Sequence, residues 1–273
     1  MIFAQISDTH IRPQGRLAYR KVDTAAALAR CVAHLNALAP RPAFALVTGD
    51  LVDFGSPAEY HRFRELMAPL EIPYFVIPGN HDEHGALRRA FSDAAYLPKG
   101  GEFLHYAIED HPLRILALDS VVPGAPHGEL GPERLAWLEA RLAEMPDRPT
   151  VIATHHPPFL TGIRHMDVQN CRDGEALGAV VERHPQVRAL LCGHVHRFVA
   201  TLWHGIVATI CPSPSHAVAL DLDPEGPSAF SLDPPACLIH AWTPEGRLVS
   251  HISFIGRFDG PYPFFDATGR LID

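Results

Sequence analysis

Cysteine is scarce in this chain, and what there is lies scattered. The 273 residues hold five, at positions 31, 171, 192, 211 and 237, with no CxxC pair among them. So sparse and odd a set fits reduced thiols rather than a disulfide framework, and the sequence leaves a single bridge open. Cys192, inside the apolar run ALLCGH, reads as a small core residue. Positive charge is short as well: 23 Lys and Arg face 31 Asp and Glu, a net charge of −8. With no Lys/Arg run, the electrostatic footprint of a nucleic-acid-duplex binder is missing. No apolar stretch approaches the roughly 20 residues that span a bilayer, and the opening MIFAQISDTH lacks the cationic start of a secretory signal. The expectation is a cytoplasmic enzyme that engages neither membrane nor duplex. Repeats and low-complexity segments are absent too. What remains is ordinary globular composition, 47% apolar and 20% charged, with one anomaly: 18 histidines, many of them at the ends of predicted strands.

Strand and helix patterns alternate along the first two hundred residues. Predicted strands cover 2–7, 44–49, 74–79, 103–108, 114–119, 150–155 and 187–194, and predicted helices cover 22–38, 57–67, a stretch from near 84, 132–144 and 174–183. Residues 198–202 and 206–210 read as a hairpin around His204-Gly205. Beyond position 211 prolines multiply and helical periodicity fades. The reading is an α/β layered core over residues 1–210 and a strand-and-loop extension over 211–273, which completes a sheet and covers the site or forms a subunit contact.

Five stretches share one layout, an apolar strand followed at once by polar residues: SDTH (7–10), GDLVD (49–53), GNHD (79–82), THHP (154–157) and GHVH (193–196). In α/β sheets ligands gather at the carboxyl ends of strands, so segments far apart in sequence can converge there. Their Asp, His and Asn side chains are the mixed oxygen and nitrogen donors that suit Fe, Mn, Zn or Co. Seven such donors exceed one ion's need, and two ions sharing a carboxylate account for them. Within THHP the two histidines are neighbours on extended chain and point to opposite faces, so they cannot do the same job.

The order DxH, GD, GNH[DE], [VI]xxH, GHxH, spanning residues 8–196, resembles the calcineurin-like metallophosphoesterases. ISDTH, IPGNHD, HHPP and CGHxH, with SPSHAV (213–218) and DPPACLIH (233–240) beyond, resemble most the glycerophosphodiesterase and class III cyclic-nucleotide phosphodiesterase branch. The resemblance implies a four-layer αββα sandwich: two mixed sheets face to face, helices outside, and a dinuclear metal site at the strand C-terminal ends. It implies that Asp8, His10 and His196 hold one divalent ion, that Asn80, His155 and His194 hold a second, and that Asp50 bridges them. His156 would turn away toward another partner, so its loss should leave metal content nearly intact. His81 would donate to the leaving group or the phosphate, oriented by Asp82, while Asn80 and His216 would contact the phosphate. Asn80, a neutral donor, would leave the second ion held more loosely than the first. The chemistry implied is attack by a metal-activated hydroxide on a small phosphodiester.

Several positions are weighed beside that site. Arg12 and Tyr19 follow the first ligand block and are candidates for the pocket wall; Phe54 stands where phosphoprotein phosphatases resembling GDxVDRG carry a phosphate-clamping arginine. That substitution favours a diester, with Phe54 packing against its alcohol portion. His165, His204, His240 and His251 read as structural or surface residues, His34 as exposed, and Glu83 and His84 as solvated. The run PYPFFD (261–266) is read as packing a lid or a subunit contact, or as a terminal segment docked on the core; the contact is the favoured reading, and with it a homo-oligomer is expected. A glycerophosphodiester is the leading substrate class and a 3′,5′-cyclic nucleotide such as cAMP the alternative. A non-catalytic adaptor is disfavoured because none of the seven donors is missing.

Overall fold

A computed structural model describes residues 1–272; Asp273, the end of the expected extension, lies outside the described residues. Among the described residues thirteen strands and six helices are formed. In order they are β1 (Ile2–Ile6), α1 (Thr24–Asn36), β2 (Ala45–Thr48), α2 (Pro57–Met67), β3 (Tyr74–Ile77), α3 (His84–Ala90), β4 (Tyr106–Ile108), β5 (Arg114–Ala117), α4 (Gly131–Glu144) and β6 (Thr150–Ala153). There follow α5 (Arg164–Asp167), α6 (Gly174–Arg183), β7 (Val187–Cys192), β8 (Val199–Trp203), β9 (Ile206–Ile210), β10 (Ala217–Val218), β11 (Phe230–Ser231), β12 (Ala236–Trp242) and β13 (Leu248–Phe254). Sequence pattern gives no sign of the one-turn α5 or of the two-residue strands β10 and β11, which are too short for periodicity to show.

Two mixed sheets form the centre, ordered β13-β12-β1-β2-β3 and β4-β5-β6-β7-β9-β8. The ligand-bearing strands run parallel within each sheet; antiparallel strands close both edges of the second sheet and one edge of the first, whose other edge is the parallel β3. β12 pairs antiparallel with β1, setting Ile2 opposite Ala241. The period-2 alternation of strands decides which side chain faces which layer. In the second sheet Ile115, Ala117, Val151, Ala153, Ala189 and Leu191 pack into the cluster shared with the first sheet. Their neighbours Leu116, Leu118, Ile152, Leu190 and Cys192 pack outward beneath α4 and α6. Each fully buried Leu, Ile or Val among them contributes roughly 1.5–3 kcal/mol, so both faces of the sheet are anchored.

The starts of α1, α2 and α3 are fixed by side chains that satisfy free N–H groups. Asp23 accepts from the Ala26 N–H at the start of α1, and Ser56 with Glu59 forms a capping box ahead of Pro57 on α2. Glu83 caps α3 through the Gly85 and Ala86 N–H groups. Among the described residues no helix is long and apolar enough to cross a membrane, and all five cysteines are free and buried.

Candidate metal centre

β1, β2, β3, β6 and β7 end on the same side, and the five polar blocks lie just past their carboxyl ends. β6 stops at Ala153 and β7 at Cys192, so His155 and His194 sit beyond the strands rather than inside them, as the strand ranges read from sequence had placed them. The backbone is tightly turned there. Among the described residues eight non-glycine residues have positive φ, and five of them are Asp8, His10, Asp50, His194 and His196. That conformation costs a non-glycine residue of order 1–3 kcal/mol and persists where the surroundings over-determine it, commonly at functional sites. Gly79 has to be glycine for room: a Cβ would press on Asp50 and lie 2.8 Å from Cε1 of His155.

All seven sequence-predicted donors converge. His10 Nε2 lies 3.1 Å from His196 Nε2 and 3.5 Å from Asp50 Oδ2, and His196 Nε2 is 3.5 Å from Asp8 Oδ1. On the other side His155 Nε2 is 3.3 Å from the same Asp50 oxygen and 3.2 Å from Asn80 Oδ1, which is 3.1 Å from His194 Nδ1. One oxygen of Asp50 thus stands between two donor sets. The remaining donors on these side chains orient them: His155 Nδ1–H donates to the Thr48 carbonyl (2.8 Å), and Asp50 Oδ1 accepts the His81 N–H (2.9 Å).

The set fits cations. Pairs of ring nitrogens and an amide oxygen face one another with too few protons to bond them all, and His194 Nε2 and His196 Nδ1 are buried without partners. Burial holds His194 down to about 3 and pushes His196 well below the usual range, so both are neutral, the form that ligates metal. Asp50, although buried, is kept ionised by His155 and His81. Burial, beside the Asp50 charge, raises Asp8 to about 6. Burial opposes charge on His155 as well, but Asp50 outweighs it and raises that ring to about 9, a proton that a cation would displace.

Several neighbours differ from expectation. Asp82 does not touch His81; its buried carboxylate accepts the Gly79 and Leu51 N–H groups and the Tyr60 hydroxyl, bracing the turn itself. His81 is oriented instead by the Asp53 carbonyl, 2.8 Å from Nδ1. Asp53, which sequence reasoning passed over although it ends GDLVD, also puts its carboxylate 3.2 Å from His10 Nδ1. Its signal was its position, three residues past Asp50 on the same turn. His156 does find another partner, with Nδ1 2.8 Å from Ser120 Oγ, yet its ring does not leave the site. It is fully buried, with centroid 4.8 Å from that of His155 and 4.7 Å from that of His194.

A cavity of about 400 Å³ opens over the donors. Its walls include Tyr19, His81 and His216, the α5 residues His165 and Met166 with Gln169 just beyond them, and Val218, Ser228, Ala229 and Phe230 from the extension. His165 was read as structural or surface, because a single turn of helix offers no strand end to mark it. Tyr19 stacks on Phe230 at 5.0 Å. Burial drives His216 down to about 3, and Ser215 Oγ sits 2.9 Å from its Nδ1. Arg12 and Phe54 are not among the lining residues: Arg12 pairs with Asp53 at 3.0 Å and stacks at 4.2 Å on Phe54, which is 72% exposed. His34 is not free on the surface but meets Ser253 at 2.7 Å, and His84 is not solvated but lies 2.8 Å from Asp119.

The calcineurin-like phosphoesterase family model matches residues 1–198. Over the full length of both chains, the protein is 46% identical to a probable glycerophosphodiester phosphodiesterase of Arcobacter nitrofigilis. It is 36% identical to a probable cyclic nucleotide phosphodiesterase of Rhodopseudomonas palustris, covering 96% of this chain and 94% of that one. Among solved structures, a dimetal phosphatase of Danio rerio superposes with a TM-score of 0.66 at 15% identity, covering 94% of this chain and 96% of that one, a likeness of fold. The chain belongs to the calcineurin-like phosphoesterase family.

Proposed function

We propose that the protein is a two-metal phosphodiesterase acting on small glycerophosphodiester-like substrates. The observation that carries the reading is the single Asp50 oxygen standing 3.5 Å from His10 and 3.3 Å from His155, between two complete donor sets. Asp8, His10 and His196 would hold one ion and Asn80, His155 and His194 the other. Bound there, two divalent ions (Fe, Mn, Zn or Co) supply positive charge for a phosphodiester anion and acidify a water toward pKa about 7.

The chain's own residues supply the rest. His81 has its Nδ1–H tied to the Asp53 carbonyl, which leaves Nε2 for the cavity. A proton carried on Nε2 would pass to the departing alkoxide, so that diester and water become monoester and alcohol. Neutral His216 and the amide of Asn80 contact phosphate oxygens by hydrogen bonding. Residues 211–272 act as a cover over a core spanning 1–210, because Val218 and Phe230 form part of the cavity wall. Tyr262, Phe264 and Phe265, exposed by 69%, 78% and 58%, serve a contact between copies in a cytoplasmic homo-oligomer.

The full-length 46% identity favours a glycerophosphodiester; the 36% relative named for cyclic nucleotides keeps cAMP as the second reading. Purified protein loaded with Mn, Co or Zn should be assayed on glycerophosphoethanolamine, cyclic AMP, bis-p-nitrophenyl phosphate and a phosphomonoester. The highest kcat/KM is expected on glycerophosphoethanolamine, with Asn80→Ala and His81→Ala as impaired controls. No diesterase activity with any metal would overturn the reading.

A further inference from the structure

Asn80 reaches its donor set from the first sheet, whereas His155 and His194 reach it from the second. That set is therefore only as well formed as the join between the 79–84 loop and the second sheet. Most of the loop's anchors lie on its own side: His81 N–H donates to Asp50 and Glu83 N–H to the Tyr60 hydroxyl, each at 2.9 Å. His84 crosses over. Its Nε2 lies 2.8 Å from Asp119 Oδ2, just past the end of β5. The ring N–H is not aligned with that oxygen, so the contact is a charge pair more than a directed hydrogen bond. Asp119 is fully buried and fixed by the Leu104 and Val121 N–H groups, at 2.9 and 3.0 Å. The next residue, Ser120, holds His156, the neighbour of His155. One dipeptide thus braces the loop of Asn80 and the loop of His155.

We propose that the Asp119–His84 pair is a positioning device for the second metal site, joining the loop of Asn80 to the loop of His155, and that it adds to that site's affinity while His84 is charged. The proposal rests on the two-ion reading above. Besides Asp119, the groups around His84 are Glu83 and Arg88 on its own segment, Arg134 of α4, which donates to the Asp119 carbonyl, and His105, which burial lowers to about 4 and keeps neutral. Burial works against charge on His84, but Asp119 outweighs it and the ring is raised above its ordinary value. A raised histidine contributes below its unfolded pKa, and the contribution is lost as pH rises through the folded one. Asp119 is held below its ordinary range by His84 despite its burial, so it stays ionised throughout that window.

The test is calorimetric titration of Mn²⁺ into the full-length apoprotein at pH 6.5 and pH 9. At pH 6.5 His84→Ala should bind the second ion about tenfold more weakly, with the first unchanged, and the gap from the parent should narrow at pH 9. His84→Lys, a cation at both values, should match the parent at pH 6.5 and exceed it at pH 9. Should the alanine variant not fold, His84→Gln carries the same expectation. No weakening, equal weakening of both ions, or a lysine variant that tracks the parent at pH 9 would overturn the proposal. A parent that binds only one ion defeats the two-ion reading itself, a distinct outcome.

Discussion

Removing the Asp53 carboxylate should loosen the first ion while leaving the second nearly untouched. Asp53 Oδ1 is 3.2 Å from His10 Nδ1, so it fixes which ring nitrogen of His10 is free to face Asp50 and His196. Asp53 is only 9% exposed, and although burial disfavours its charge, His10 and Arg12 keep it ionised. Partners of this kind behind a metal-bound histidine are typically worth 10–100-fold in metal affinity, about 1.4–2.7 kcal/mol. The value for Asp53→Ala should fall toward the upper end, since the carboxylate is buried and Arg12, 3.0 Å away, loses its partner too. Asp53→Asn, which keeps an acceptor oxygen, should fall toward the lower end. His81 is held by the Asp53 carbonyl, which side-chain substitution spares, so at saturating metal kcat should drop far less than affinity. The assay is Mn²⁺ titration followed by calorimetry and by activity. Unchanged first-site affinity in the alanine variant, or an equal loss at both sites, would refute this reasoning.

Other perturbations separate the roles of neighbouring groups. His81→Ala should retain two ions per chain yet lose roughly 10²–10⁴ in kcat, with the smallest loss on diesters of acidic alcohols, which leave without a proton; metal analysis with a leaving-group series checks both. Gly79→Ala should lose second-site metal and about 1–3 kcal/mol of stability, read by metal content and thermal melting, because the added methyl presses on Asp50 and His155. Metal uptake at pH 8 should release about two protons per chain, one from His155, which is raised to about 9 and protonated in the metal-free protein, and one from the water that the ions acidify. The His155 share should vanish as pH climbs past that value, leaving about one, and calorimetry in buffers of different ionisation enthalpy measures it. His156→Ala should cost more metal than a remote histidine would, since its buried ring packs on both His155 and His194.

Much of this architecture was legible because its signals are local. Strands such as 74–77 and helices such as 57–67 carry their own periodicity and end signals, Pro57 after a Ser56 cap being one. The donors were legible for a different reason: each follows a strand end, and five strand ends of one sandwich have one place to meet. What sequence could not show depends on contacts made across the fold. Asp82 and Asp53 are both acidic residues close to His81 in space, and only the packed structure shows that Tyr60 and two backbone N–H groups occupy the first while the second meets His10. Phe54 reads as a pocket residue by its place in GDLVDFG, yet it lies exposed and stacked on Arg12. His84 gains its partner from Asp119, just past β5 and far along the chain, and His165 lies on the one-turn α5, too short for a local pattern to announce.

Anomalous diffraction from crystals of the Mn²⁺-loaded protein would decide the matter of two ions around Asp50. The structure predicts two peaks flanking that carboxylate, one among Asp8, His10 and His196 and the other among Asn80, His155 and His194. A single peak, or a second peak held by His155, His156 and His194 away from Asp50, would contradict it.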